Sequence, residues 1–199
     1  MPMSFSHKKT TQALNFFARQ SGGRINKMKA LKLLFFADRF HLRKYGRPIT
    51  NDEYFAMNYG PVPSGAKDLV EGSDFRPDVE KAYAGQFVDS VDRYEFRSTH
   101  DVDSMVFSAT DQESLAYVWE HFGSFDQFIL ADLSHQYPEW KRHEAALSSE
   151  SSSRVKMSFS DFLEDPPAPC DPCYVLDDEE REVRREEVQE LDSLHSLWN

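Results

Sequence analysis

The 199-residue sequence contains few cysteines and no long apolar run. Its two cysteines, Cys170 and Cys173, would close only a small strained loop if they were oxidised. They could supply half of a zinc site, but the chain has no second cysteine pair and no histidine at a finger-like spacing. No segment approaches the roughly 18 apolar residues that span a bilayer, and the first residues do not resemble a signal peptide. We therefore expect a cytoplasmic protein with no bound metal, no cofactor and no membrane contact.

Basic residues are scarce except near the beginning of the chain. Residues 1–60 contain 11 Lys or Arg and 3 Asp or Glu, a net charge of +8. The remaining 139 residues contain 12 basic and 31 acidic side chains, a net charge of -19. Because an acidic majority repels phosphate backbones, nucleic acid is disfavoured as a partner. The basic first segment could still attract an acidic partner, or the acidic end of the same chain.

Two helices are predicted in the first quarter of the chain. Residues 8–20 have the spacing of a short amphipathic helix. Residues 25–45 carry apolar side chains on nearly every side, which is typical of a helix buried at its middle, and Gly46 is placed to end it. The polar side chains of this second helix are predicted to form one solvent-exposed stripe. They are Lys32, Arg39 and Arg43.

Short strands and further helices are predicted in the middle of the chain. Residues 54–59 are rich in aromatic side chains and indicate a strand, which the glycine and two prolines of residues 60–63 should end. Brief β-branched and aromatic segments within residues 86–108 should pair with that strand in a small antiparallel sheet. Helices are expected over residues 110–122 and 124–134. The predicted fold is mainly α with a small antiparallel β-sheet, in the α+β class.

The end of the chain differs in composition. We predict a compact helical domain over residues 1–145, a Ser/Pro-rich linker over 146–176 and an acidic amphipathic helix over 177–199. The apolar face of this helix could dock on the parent domain or lie in a groove of another protein. Its side chains are Val188, Leu191, Leu194 and Trp198. Residues 177–190 have eight acidic and three basic side chains, a net of -5 that would attract a basic partner.

Asp38 and His41 form the one candidate pair for acid–base chemistry. They lie three residues apart, hence on one face of the buried helix. The sequence marks out no nucleophile, oxyanion-stabilising group, phosphate-binding loop or HExxH motif to act with them. A buried carboxylate and imidazole can instead hold loop backbone, and the Gly60-Pro61 turn is the expected recipient. We therefore predict structural roles for both residues and no catalytic residue.

Several motifs together resemble the Panacea domain, also called the SocA-like antitoxin domain. The resemblance rests on KLLFFAD-x-x-H-x-x-x-x-G, the RPIT turn, YGPVPSG and a later SHQYPEW, and it covers roughly residues 8–145. It implies a small, mainly helical domain, found in bacteria and on phages or prophages, without enzymatic activity. The residues that it places in the family scaffold are Asp38, His41, Gly46, Pro48, Tyr59, Gly60, Pro61, Pro63, His135, Pro138 and Trp140.

The resemblance implies the antitoxin of a toxin–antitoxin pair, which neutralises a cognate protein toxin by direct binding. A second candidate function is a proteolytic adaptor that delivers the toxin to a protease, so a protease or chaperone is a second candidate partner. The sequence also leaves open an enzyme that uses Asp38 and His41, and a DNA-binding autoregulator that uses the basic first segment. Residues 146–199 lie outside the resemblance, and their helix is the first candidate for partner-specific contacts. The predicted partner-binding residues are Val188, Leu191, Leu194 and Trp198.

Overall fold

A computed structural model describes residues 5–149, 152–166 and 175–197. Cys170, Cys173 and Trp198 lie outside these ranges, as do the side chains of Leu191 and Leu194. The described chain is mainly helical with small antiparallel sheets, so the predicted α+β class is confirmed. Within these ranges, no helix combines the length and the apolar character that crossing a membrane requires.

The helices and strands alternate irregularly along the described chain. The helices are α1 His7–Gln20, α2 Lys27–Tyr45, α3 Ser64–Glu71, α4 Asp78–Phe87, α5 Ala109–Phe122, α6 Gln127–Ser134, α7 Pro138–Lys141, α8 Glu144–Ser148 and α9 Asp178–Leu197. The strands are β1 Arg24–Asn26, β2 Tyr54–Met57, β3 Gly60–Pro63, β4 Val88–Ser90, β5 Glu95–Ser98 and β6 Val155–Lys156. Two short 3-10 helices span Ser104–Val106 and Phe159–Leu163.

Helix α2 lies in the middle of the core, as its apolar pattern predicts. The side chain of Asn26 caps its first turn, and Gly46 ends it in the left-handed conformation at φ 75°. Phe35 and Phe36 are fully buried, and the ring of Phe36 stacks on Phe122 of α5 at 4.4 Å between centroids. Contacts with α1, α5 and α6 leave little of the helix open to solvent.

The predicted solvent-exposed stripe on α2 is wrong. Lys32, Arg39 and Arg43 are each at most 1% exposed. Three elements cover the face of α2 that carries these side chains. They are β3, the 3-10 helix Phe159–Leu163 and α9. Each side chain finds hydrogen-bond acceptors on distant segments, which is how long cationic side chains become tolerable in a core.

The strands form two sheets rather than one. One sheet has the order β1-β5-β4 and the other β3-β2-β6, all pairs antiparallel. The prediction that the strand at residue 54 pairs with the segments after residue 86 is therefore wrong. Gly60, at φ 92°, lets the chain reverse so that β2 pairs with β3 instead. Pro61 and Pro63, predicted to exclude a strand, lie in β3, an edge strand in which a missing N–H costs no ladder bond.

Part of the segment predicted as a linker belongs to the core. β6 pairs with β2, with Val155 opposite Ala56. Phe162 and Leu163 are fully buried, and the ring of Phe162 lies 5.5 Å from that of Phe35 in α2. These residues therefore pack with the family-like domain rather than separating it from α9.

Candidate functional site

The carboxylate of Asp38 holds the turn that follows α2. Its Oδ1 accepts hydrogen bonds from the backbone N–H groups of Ile49 (2.7 Å) and Thr50 (3.0 Å). Its Oδ2 accepts from the hydroxyl of Tyr54 (2.8 Å) and from that of Thr50. Burial raises the pKa of the Asp38 carboxyl, while these four donors act in the opposite direction. The side chain thus fastens the turn and the start of β2 to the helix.

His41 holds the other side of the same turn. Its Nδ1 lies 2.6 Å from the carbonyl oxygen of Arg47, so this nitrogen carries the hydrogen and donates it. Its Nε2 lies 3.0 Å from the hydroxyl of Thr110 and 3.2 Å from a carboxylate oxygen of Asp111. Burial lowers the pKa of His41 to about 4, while the bond to the Arg47 carbonyl and the nearby Asp111 carboxylate act in the opposite direction. Asp38 and His41 therefore both hold the turn that begins at Arg47. The prediction that they hold the Gly60-Pro61 turn is wrong.

Lys32 is the residue that holds the Gly60-Pro61 turn. Its ammonium nitrogen donates to the carbonyl oxygen of Pro61 at 2.7 Å. A Cβ at Gly60 would collide with the Ser134 hydroxyl oxygen, so this turn approaches α6 closely enough to require glycine. Burial lowers the pKa of Lys32 to about 7. The neighbouring Tyr59 side chain points outward and is 64% exposed.

The residues of SHQYPEW pack behind that turn. The indole Nε1 of Trp140 donates to the carbonyl oxygen of Met57 at 2.8 Å, and the ring of His135 stacks on the indole at 3.9 Å. Pro138 opens α7, where a missing N–H costs no helical bond. Family residues far apart in the sequence therefore meet around the end of β2.

Asp52 is a structural residue that the sequence pattern does not reveal. Its two carboxylate oxygens accept the backbone N–H groups of Gly65 and Ala66, both at 2.7 Å, at the start of α3. Burial raises the pKa of Asp52 to about 7. Pro63, also buried, precedes this helix. An aspartate thirteen residues before the N–H group that it caps leaves no local signal in the sequence.

Arg39 forms a buried ion pair that the sequence pattern also does not reveal. Its Nε donates to Oε1 of Glu139 at 2.7 Å, and both side chains are fully buried. Its guanidinium lies 4.5 Å from the ring centroid of Tyr137 and donates to the carbonyl oxygen of Glu164 at 2.8 Å. The pair thus connects α2, α7 and the segment after the second 3-10 helix.

Arg43 extends this network toward the end of the chain. Its Nη1 donates to the carbonyl oxygens of Phe162 (3.0 Å) and Glu164 (3.2 Å). Its Nη2 pairs with the carboxylate of Asp165, which also accepts from Arg181 of α9 at 2.5 Å. Two arginines of α2 therefore fix the backbone of residues 162–164 and, through Asp165, the first turn of α9.

Helix α9 docks on the C-terminal end of α2. Arg184 donates to the carbonyl oxygens of Arg43 (3.1 Å) and Lys44 (2.8 Å), which the last turn of a helix leaves without helical partners. Val188 is 1% exposed and belongs to the chain's own core, so in this structure it is not open to a partner. A Cβ at Gly46 would collide with the carboxylate of Glu187. The two alternatives for this helix were docking on its parent domain and binding in a groove of another protein. The buried position of Val188 corresponds to docking on the parent domain.

Comparison with known proteins identifies the family. Residues 31–141 match the family described as antitoxin SocA-like, Panacea domain, which is more than half of the chain. The chain belongs to this family. No curated protein and no solved structure matches it. The match begins within α2 and ends at the last residue of α7. Asp38, His41 and Trp140 lie inside it. Both α9 and the segment of residues 162–164 that Arg43 binds lie outside it.

Proposed function

We propose that this chain is the antitoxin of a toxin–antitoxin pair and neutralises a cognate protein toxin by direct binding. The observation that carries the proposal is the family match over residues 31–141. The polar side chains of α2 are consistent with it, because Asp38 and His41 direct their hydrogen bonds to the protein's own turn. A protein that acts by binding needs a surface of suitable charge and shape rather than a reactive group.

The charges on the outer face of α9 favour a partner with a basic surface. Asp178, Glu182, Glu186 and Glu190 recur at every fourth residue and are all exposed. Opposite charges would steer association and select against acidic partners. Beyond Val188, which is held in the core, the helix continues to Leu197, and we propose that Leu191, Leu194 and Trp198 make apolar contacts with the toxin.

The test is co-expression with the product of the adjoining reading frame. Wild-type protein should restore growth of cells that express this neighbour, and the two should copurify. A Leu191→Ser, Leu194→Ser, Trp198→Ser triple variant should lose neutralisation if these residues bind the toxin. Val183→Ser is the matched control, because Val183 is an apolar residue of the same helix that is already 47% exposed.

Two readouts separate the antitoxin function from the placement of its contacts. Absence of growth rescue and of copurification by the wild-type chain would contradict the antitoxin function. Full neutralisation by the triple variant, with the wild type active, would contradict only the placement of contacts on α9. The half-life of the toxin distinguishes the mode of action: it should stay unchanged for direct neutralisation and shorten for a proteolytic adaptor.

A further inference from the structure

The C-terminal end of α2 forms a seat for α9. Arg184 of α9 donates to the carbonyl oxygens of Arg43 and Lys44, where the partial negative charge of a helix end favours a cation. Gly46 leaves room for α9, because a Cβ there would lie 2.7 Å from the carboxyl carbon of Glu187. The α2 seat thus consists of Arg43, Lys44 and Gly46.

The contacts that hold α9 on the seat lie on one face of its first half. Arg181 donates to the carboxylate of Asp165 at 2.5 Å, and Val188 is buried in the core. Arg181, Arg184 and Val188 are spaced by three and four residues, which places them on the same face of the helix. The described side chains of α9 that follow Val188 are exposed. They are Gln189, Glu190 and Ser193.

The outer face of α9 would destabilise the helix if it were not docked. Asp178, Glu182, Glu186 and Glu190 follow one another at intervals of four residues, and like charges at that spacing destabilise an isolated helix. Helices in proteins gain most of their stability from packing rather than from intrinsic propensity. The α2 seat therefore stabilises a helix that its own acidic face disfavours.

We propose that docking on the α2 seat fixes the direction in which α9 presents its acidic face and its last turns to the partner. Arg184 is then a positioning residue, which acts through α9 and does not touch the partner. An undocked α9 has to be ordered when the partner binds, and the entropy cost of that ordering weakens binding. This inference rests on the function proposed above, in which the partner binds α9.

The test uses the full chain, the product of the adjoining reading frame, and two variants that change the charge of α9 equally. Arg184→Glu sets a carboxylate against the carbonyl oxygens of the α2 seat and should undock the helix. Arg185→Glu is the matched control, because the side chain of Arg185 is 39% exposed and pairs with Glu164 and Glu182. Arg184→Lys keeps a donor for the same carbonyl oxygens. Hydrogen exchange in α9 measures docking, exchange in β2 measures the fold, and calorimetric titration measures affinity for the partner.

Arg184→Glu should accelerate exchange in α9 but not in β2, and it should weaken partner binding by about ten-fold or more. If charge alone governed binding to a basic partner, this more acidic variant would bind at least as tightly as the wild type. Arg185→Glu and Arg184→Lys should behave like the wild type.

Three results with Arg184→Glu would overturn the inference while leaving the antitoxin function intact. They are undiminished binding despite faster exchange in α9, unchanged exchange in α9, and exchange that accelerates in β2 as well, since α9 would then not be a separable helix. A wild type that does not bind the neighbouring gene product would instead contradict the proposed function and, with it, this inference.

Discussion

Two polar networks on α2 differ in how far they reach along the chain. Asp38 accepts hydrogen bonds from Ile49, Thr50 and Tyr54, which are 11 to 16 residues away. Arg39 instead reaches Glu139 and Glu164, which are 100 and 125 residues away. The first network shapes a turn next to its own helix, whereas the second closes the core against the end of the chain.

The difference shows what the residues beyond the family match contribute. The Asp38 network lies wholly inside residues 31–141, so the family domain contains all its members. The arginine network needs the backbone of residues 162–164, which lies outside that range. Buried guanidinium groups require acceptors, and in this chain the segment after the family domain supplies several of them, while Glu139 of the domain supplies another. Arg39→Met and Asp38→Ala test whether the two networks contribute as differently as their reach implies, and Lys32→Met and Arg184→Ala test two further contacts of α2.

Arg39→Met should have the largest effect on stability. It leaves the fully buried Glu139 carboxylate without its ion-pair partner and removes the donor to Glu164, so the free energy of unfolding should fall by about 4 kcal/mol. Urea denaturation monitored by circular dichroism measures the loss. The Arg39→Met, Glu139→Leu double variant should recover part of it, since neither charge of this pair then remains buried. A loss below about 1 kcal/mol for the single variant would refute a stabilising role for the pair.

Asp38→Ala should come next, with a loss of about 3 kcal/mol. It leaves buried N–H and hydroxyl donors of Ile49, Thr50 and Tyr54 without their acceptor. Asp38→Asn keeps one acceptor oxygen for the two backbone donors and should cost less, about 1 kcal/mol. The same denaturation experiment compares them. Equal losses for the two variants would show that the negative charge, rather than the acceptor geometry, matters at this position.

Lys32→Met should change the dependence of stability on pH. The pKa of Lys32 is about 7 in the folded chain and near its ordinary 10.5 when unfolded. Between pH 7 and pH 10.5 the Lys32 side chain is protonated in the unfolded chain but not in the folded chain. The contribution of this side chain to the free energy of unfolding therefore rises with pH. From about pH 7 to pH 9 the wild type should gain about 2 kcal/mol relative to Lys32→Met. Parallel pH profiles for the two proteins would show that Lys32 remains charged in the core.

Arg184→Ala should have the smallest effect, a loss of about 1 kcal/mol. It removes the donors to the carbonyl oxygens of Arg43 and Lys44 but leaves Val188 in the core. Amide hydrogens of α9 should exchange faster, while those of β2 should not change. Arg185→Ala is the control, because the exposed pair of Arg185 with Glu164 should contribute less. Unchanged exchange in α9 would mean that Val188 and its neighbours alone hold the helix.

The local sequence pattern is sufficient to predict several helices. The spacing of apolar residues predicts α1 and α2 within one or two residues of their observed starts, and Gly46 ends α2 as predicted. The helix predicted from residue 110 begins one residue earlier, at Ala109, because Ser108 and Asp111 form a capping box at its start. Helix α4 was not predicted. It is short, runs directly into a strand and buries only Ala84 of its ten residues.

Strand pairing and the partners of the buried charges required the tertiary structure. β2, β4 and β5 lie in segments that aromatic and β-branched residues predict as strands, whereas β1, β3 and β6 are not predicted. β2 pairs with β3 and β6 because a glycine turn and a distant segment bring those strands beside it. The candidate site also required the tertiary structure. The sequence predicts structural roles for Asp38 and His41, but it does not predict which turn they hold. Hydrogen-bond partners depend on which loops approach the helix, and that information is not local.

The buried position of α2 and the turns at Gly46 and Gly60 could be read from the chain alone, because they depend on the periodicity and conformational limits of nearby residues. The family could also be read from the chain, but from the resemblance of its motifs. The burial of Lys32, Arg39 and Arg43 became visible only in three dimensions. Long cationic side chains are ordinarily solvated, and they enter a core only where acceptors from remote segments surround them. In this chain those acceptors lie on β3, on α7 and on the residues that lead into α9.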